Sequence, residues 1–209
     1  MLANDFYLVA HDDVSGRRNL SSGAVAFGLA GALLGELVLE GKISIDNGRL
    51  LLPMSGTIPP ADALAHMVFE QIIRDPDDYT VRNRILYLSA TALDQVADRL
   101  VKAGQLQRQV SRSMFGRRVS YVPTDSTEAA RPMVKLSYHV NGQRPLDMCG
   151  LTLAGLVETT GLSRTVLPTA QAEDLAFLRR DLPRMWRPLR ELVDEVGAVI
   201  GDAVLSHRL

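Results

Sequence analysis

The sequence predicts a mostly α-helical, single globular domain, with a central glycine-rich buried helix and two β-hairpins, one of them protruding. Three observations lead there. "GAVAFGLAGALLGELVLEG" is apolar almost all round, as a helix at the centre of a core must be. "GKISIDNGRLLL" and "LQRQVSRSMFGRRVSYVPT" each place alternating residues on either side of a turn signal. The C-terminal end repeats apolar residues at helical spacing. At 209 residues the chain suits one domain, 1–209, and its 46% hydrophobic content is ample for one core.

In chain order, Phe6 to Ala10 is a short apolar run compatible with helix or strand. "HDDVSGRRNLSS" is a polar loop, with Gly16 for a turn and Asn19, Ser21 and Ser22 as capping residues. Along the apolar helix Gly28, Gly31 and Gly35 share one side, so a neighbouring helix can approach closely. Its longest uncharged run, Asn19 to Gly35, falls short of the roughly 20 apolar residues of a membrane span, and a buried helix is expected.

Ile43 and Ile45 alternate with polar residues, Asn47-Gly48 supplies a positive-φ turn, and Leu50 to Leu52 return. Pro53, Pro59 and Pro60 break the chain, and Pro60 opens a helix through Ile73 with Leu64, Met67, Val68 and Ile72 on one face. Val81 to Leu88 reads equally as helix or strand. Thr91 to Ala103 reads as a helix with a Thr91–Asp94 capping box, a Leu93, Val96, Ala97 and Leu100 stripe, and Gly104 as its stop. The second hairpin pairs Val110 with an arm of Val119, Tyr121 and Val122, bending at Gly116. Leu151–Thr160 and Glu173–Leu182 are shorter helices. Pro188 opens the last helix, striped by Leu189, Leu192, Val193, Val196, Val199, Ile200 and Val204.

Composition narrows the function. Basic residues are nearly all arginine, with Lys only at 42, 102 and 135, and Ala, Leu, Val and Gly abound, which suggests a G+C-rich bacterial genome. The net charge of −1 announces no nucleic-acid binder. Cys149 stands alone, fits a reducing cytoplasm, and reads as a small buried hydrophobe. No secretory signal is visible.

The four histidines, His11, His66, His139 and His207, have no metal-ligand spacing, and His11-Asp12-Asp13 reads as a turn before a helix. No phosphate-cradling Gly-rich loop or nucleophile elbow is present. No enzyme activity, cofactor or metal site is therefore expected.

"RSMFGRR" is the unusual stretch. Met114 and Phe115 occupy the bend of a hairpin, flanked by Arg112, Arg117 and Arg118. Three readings compete: side chains folded back onto the body, a DNA-binding wing, or a membrane probe. In the last, apolar tip residues enter the acyl boundary while arginines meet anionic headgroups. Each such cation contributes roughly 1 kcal/mol on an anionic leaflet.

The order of motifs resembles the Golgi phosphoprotein family, yeast and animal peripheral Golgi proteins with bacterial relatives. The resemblance runs from "FYLVAHDDVSG" through "GLAGALLGELVLEGKISI", "ADRLVKAGQL" and the basic hairpin to "LDMCGLTLAGLVETTGL" and the C-terminal helix. It implies a mostly helical domain that binds phosphatidylinositol 4-phosphate, docks and self-associates through the hairpin at Val110 to Val122, and holds cytosolic tails of membrane proteins. The family's headgroup residues are a Trp before the Gly-rich helix, an Arg within it, and two arginines three apart before the hairpin. They align with Ser21, Ala30, Ala90 and Leu93, and none matches. Arg17, Arg18, Arg82 and Arg84 are the candidates for a rebuilt basic pocket.

The expected function is that of a non-enzymatic lipid-binding module, cytoplasmic and peripheral on the inner face of the membrane. Its expected partners are an anionic phospholipid membrane, a phosphoinositide among the headgroups, a membrane-protein client, and a second copy through the hairpin. The alternative is a winged-helix transcription regulator, built on Thr91 to Thr124.

Overall fold

The computed structural model describes residues 1–53, 58–75, 80–113 and 116–206, with 111–113 and 116–118 described by backbone alone. The chain is mostly α-helical, and two antiparallel two-stranded hairpins complete it. At its centre lies α2 (Ser22–Leu39), opened by Ser21, whose hydroxyl accepts the Ala24 amide at 3.3 Å. Around it pack α1 (Leu2–Val9), α4 (Val81–Ser89), α5 (Ala92–Lys102), α7 (Met148–Thr159) and α10 (Arg187–Ser206).

Close approach explains the glycines of α2. A methyl on Gly28 would overlap the Phe6 ring of α1, and one on Gly31 would meet Val196 Cγ2 at 2.5 Å. A methyl on Gly35 would meet Leu2 of α1 and Leu192 of α10. The order Gly31–Val196 then Gly35–Leu192 means that α10 runs antiparallel along α2. By length and composition alone α2 is apolar enough to cross a membrane. In the fold that apolar surface is covered from several sides, and Val25 and Leu29 to Leu34 are buried.

The first hairpin is as its sequence dictates. Strands β1 (Ser44–Asp46) and β2 (Arg49–Leu51) join through Asn47 and Gly48 at φ of 50° and 71°. That pair of positive φ values is the primed turn matching the natural strand twist. Ile45 pairs with Leu50, and both are buried.

Two stretches that read equally as helix or strand are helical: Phe6 to Val9 lies in α1, with Ala10 as its C-cap, and Val81 to Leu88 lies in α4, capped by Thr80, whose hydroxyl accepts the Asn83 amide. Other elements depart from expectation. Helix α3 (Ala63–Arg74) starts from Asp62, whose carboxylate accepts the Ala65 amide at 2.9 Å, rather than from Pro60. The Thr91–Asp94 capping box is not formed. Thr91 follows α4 without an extended residue and sits at ψ −11°, whereas a cap needs extended backbone. A box forms instead at Gln171–Asp174, opening α9 (Ala172–Asp181).

The largest unanticipated element is α6 (Ser126–Asn141), whose first turn is held by Asp125. Pro132 interrupts its backbone ladder, yet the ring joins Ala129, Leu136 and Val140 on the buried face. A four-residue helix, α8 (Ser163–Val166), and a single 3₁₀ turn (Leu182–Arg184) complete the helical connections.

The second hairpin pairs β3 (Leu106–Ser113) with β4 (Gly116–Pro123). Gly116 is not the bend: it closes the ladder opposite Ser113. Leu106 is the buried root, and Gln107 to Val110 are exposed. Val110 and Val119 pair directly across the strands while 42% and 41% exposed, an apolar pair held out in solvent.

Candidate functional site

A cleft of about 1030 Å³ lies between the loop after α1, the N-terminal half of α5 and the base of the second hairpin. Its construction begins with the loop. Asp12 Oδ1 accepts the Ser15 amide and hydroxyl at 2.7 Å each, so the loop turns back on itself. The Ser15 hydroxyl, then its amide, hold the Asp12 carboxyl below the usual range. Backbone bonds from Asp12 N to the Arg17 carbonyl and from Asn19 N to the Ala10 carbonyl close the return, with His11 bridging to Arg18.

Gly16 lies at the outer edge of that turn, with φ of 66°. A side chain there would overlap the Tyr121 carbonyl of β4. Only glycine permits both the left-handed backbone and the contact between loop and hairpin. Arg17 and Arg18 are thereby placed, exposed, on the cleft wall.

Tyr7 and His11 form the floor. Their rings stack with centroids 4.0 Å apart, and His11 Nδ1 donates to the Tyr7 carbonyl at 2.7 Å. Burial pushes His11 down to about 4, helped by the nearby Arg18 charge and opposed by the Tyr7 carbonyl bond. The imidazole is neutral at physiological pH. Burial raises the Tyr7 phenol, and Tyr121 and Asp94 raise it further, while Arg18 opposes them. Tyr121 is likewise raised by burial, then by Asp98 and Asp94, against a hydrogen bond from Arg108.

The cleft therefore carries both signs. Arg17 and Arg18 come from the loop, Arg108 from β3, and Asp94 and Asp98 from successive turns of α5. Among the described residues these arginines form no ion pair with either aspartate; the arginine salt bridges involve other groups.

The candidate basic residues separate into two places. Arg17 and Arg18 line the cleft, but Arg82 and Arg84 of α4 do not. Arg82 binds Glu195 at 2.8 Å and Asp202 at 2.7 Å, tying α4 to α10. Arg84 is 3% exposed and ion-paired to Asp75 at 3.9 Å. Both have structural partners, so the four arginines are not brought into one pocket.

Met114 and Phe115 lie outside the described residues. Arg112 stands opposite Arg117 in the hairpin register and Arg118 opposite Ser111. Of the positions that align with the family's headgroup residues, Leu93 lines the cleft, Ala30 is buried in the core, and Ser21 caps α2 next to cleft-lining Leu20.

Arg108, Asp94, Asp98, Tyr7 and Tyr121 were not anticipated as cleft residues. Arg108 had a signal in its two-residue spacing from Val110 and Arg112, and Asp94 and Asp98 in their four-residue spacing beside Leu93. Cys149 is half-buried rather than buried, and desolvation raises its thiol. No group of three or more His, Cys, Asp or Glu suited to a metal occurs among the described residues. Nothing supports DNA binding: α5, the helix a winged-helix protein would insert in the groove, exposes Asp94 and Asp98.

A family model described as Golgi phosphoprotein 3 (GPP34) matches residues 2–203. No curated protein matches the chain.

Proposed function

The chain belongs to the Golgi phosphoprotein 3 family, and from that premise we propose that it is a non-enzymatic, peripheral membrane protein that holds a phosphate-bearing lipid headgroup. The observation behind this reading is the cleft at the hairpin base, where Arg17, Arg18 and Arg108 share one cavity with the Tyr7 and Tyr121 phenols. Guanidinium groups offer forked donors to phosphate oxygens, and phenols add single donors. At about 1030 Å³ the cleft is at the upper end of small-ligand sites and is roomy for a headgroup.

The hairpin supplies the second attachment. Its Val110–Val119 pair is exposed, and the sequence between those two valines carries Met114 and Phe115 together with Arg112, Arg117 and Arg118. An apolar tip with a cationic collar meets the two-signal requirement for stable binding to an anionic leaflet. The site of action is then the cytoplasmic face of the membrane. Self-association through the hairpin and capture of a membrane protein's cytosolic tail are the accompanying roles that the family resemblance implies.

The cleft arginines differ from those of the Golgi members, so the headgroup is not fixed by membership. The test is co-sedimentation with anionic vesicles. Replacing Arg17 and Arg18 together by Ala removes two near-surface cations, about 2 kcal/mol in all, and weakens binding roughly 30-fold. Unchanged binding of the double variant contradicts the cleft's role.

A further inference from the structure

From the mixed charge of the cleft we infer that its headgroup carries a primary amine as well as a phosphate, as in an aminophospholipid. The inference rests on the lipid-binding reading above and deepens it. A site for a purely anionic, multiply phosphorylated headgroup has no use for carboxylates, which repel it across the same cavity. Here Asp94 and Asp98, both exposed, stand on successive turns of α5 and line the cleft together with Arg17, Arg18 and Arg108. The Tyr7 phenol feels Asp94 and Arg18 at once, and the Tyr121 phenol feels Asp98, Asp94 and Arg108, so both signs act within the one cleft.

Among the described residues, the ion pairs within 4.0 Å that involve arginine join other partners and none links Asp94 or Asp98 to Arg17, Arg18 or Arg108. A ligand with a phosphate at one end and an ammonium a few bonds away satisfies both walls. Its phosphate takes the guanidinium N–H donors of Arg17, Arg18 or Arg108, and its ammonium donates to the α5 carboxylates. A quaternary ammonium has no N–H to donate and satisfies the aspartates only by charge. The cleft therefore discriminates ethanolamine-type from choline-type headgroups, a distinction that net charge alone does not provide.

The test compares two vesicle types holding the same fraction of phosphatidylglycerol, the remainder being phosphatidylethanolamine in one and phosphatidylcholine in the other. The full chain and its Asp94→Asn/Asp98→Asn variant are titrated into each. The expected result is roughly fivefold tighter binding to the ethanolamine vesicles, the upper value for exposed charge pairs. In the double variant that ratio falls to about one, while binding to the phosphatidylglycerol surface persists, because both carboxylates are exposed and outside the core.

A ratio of one for the wild type overturns the inference and leaves the membrane reading standing. So does a preference that survives in the variant, since it then arises from bilayer packing. Failure of the folded protein to bind either vesicle overturns both. Competition by soluble glycerophosphoethanolamine against glycerophosphocholine repeats the comparison without a bilayer, with the same ranking expected and equal competition contradicting it.

Discussion

Arg99 of α5 grips Glu36 of α2 with both ends of its guanidinium, Nη1 to Oε2 at 2.9 Å and Nη2 to Oε1 at 3.1 Å. The same arginine donates to Asn4 of α1 and to Asp62, the cap of α3. Glu36 in turn accepts the Ala3 amide at 2.9 Å. This bidentate pair, with side chains 9% and 5% exposed, fixes α5, and with it the acidic wall of the cleft, to the core helix. Arg99→Met leaves a carboxylate buried without its cation and is expected to cost about 3–5 kcal/mol. Arg99→Met combined with Glu36→Met removes both charges and is expected to cost less than the first change alone. Urea unfolding of both variants checks the order.

His11 makes stability fall on the acid side of neutrality. Its folded value is about 4 against an ordinary 6.5, so the unfolded chain binds the extra proton between those pH values. Stability is complete above about pH 6.5 and is lost as pH falls toward 4, by roughly 3 kcal/mol from this group. His11→Phe keeps an aromatic ring over Tyr7 and flattens that part of the pH profile. Denaturation midpoints taken across the window show it; an unchanged slope contradicts the assignment.

Gly31→Leu drives a side chain into the space occupied by Val196 and is expected to destabilise by 1–3 kcal/mol or more, by overpacking. Gly201→Ala, on the same helix as Val196 and facing open space, is expected to be neutral or slightly stabilising. Thermal melts of the two variants separate the packing role of glycine from mere composition.

Gly16→Val tests the link between loop and hairpin. The β-branched side chain is incompatible both with φ of 66° and with the Tyr121 carbonyl, so the turn shifts and Arg17 and Arg18 move from the cleft wall. Binding to anionic vesicles is expected to weaken severalfold, comparably to loss of those arginines. The helical core is expected to melt cooperatively, as circular dichroism records.

Much of this fold was legible in the chain, and the reason varies by element. Asn47-Gly48 specifies its turn locally, and the α2 glycines announce helix contacts because few other uses suit three glycines on one apolar helix. Helix α6 was hidden because Pro132 is a local helix breaker whose ring is stabilised by burial against α1 and its neighbours, a tertiary effect. The Thr91 box failed because capping depends on the backbone entering the helix, which four residues cannot report. Of the four candidate arginines, Arg17 and Arg18 line the cleft, whereas Arg82 and Arg84 lie on α4 in ion pairs away from it. Their partners Glu195, Asp202 and Asp75 stand far away in sequence or across a connector. Arg108, Asp94 and Asp98 converge only when β3 packs beside α5.

The central claim is that the second hairpin and its basic cleft attach this protein to an acidic bilayer. Flotation with phosphatidylglycerol vesicles, wild type against Phe115→Asp, tests it most directly. The account predicts that the wild type rises with the vesicles and the variant stays below, since a charge cannot enter the acyl boundary at low cost. A wild-type protein that stays in the dense fraction, or a variant that floats equally well, contradicts it.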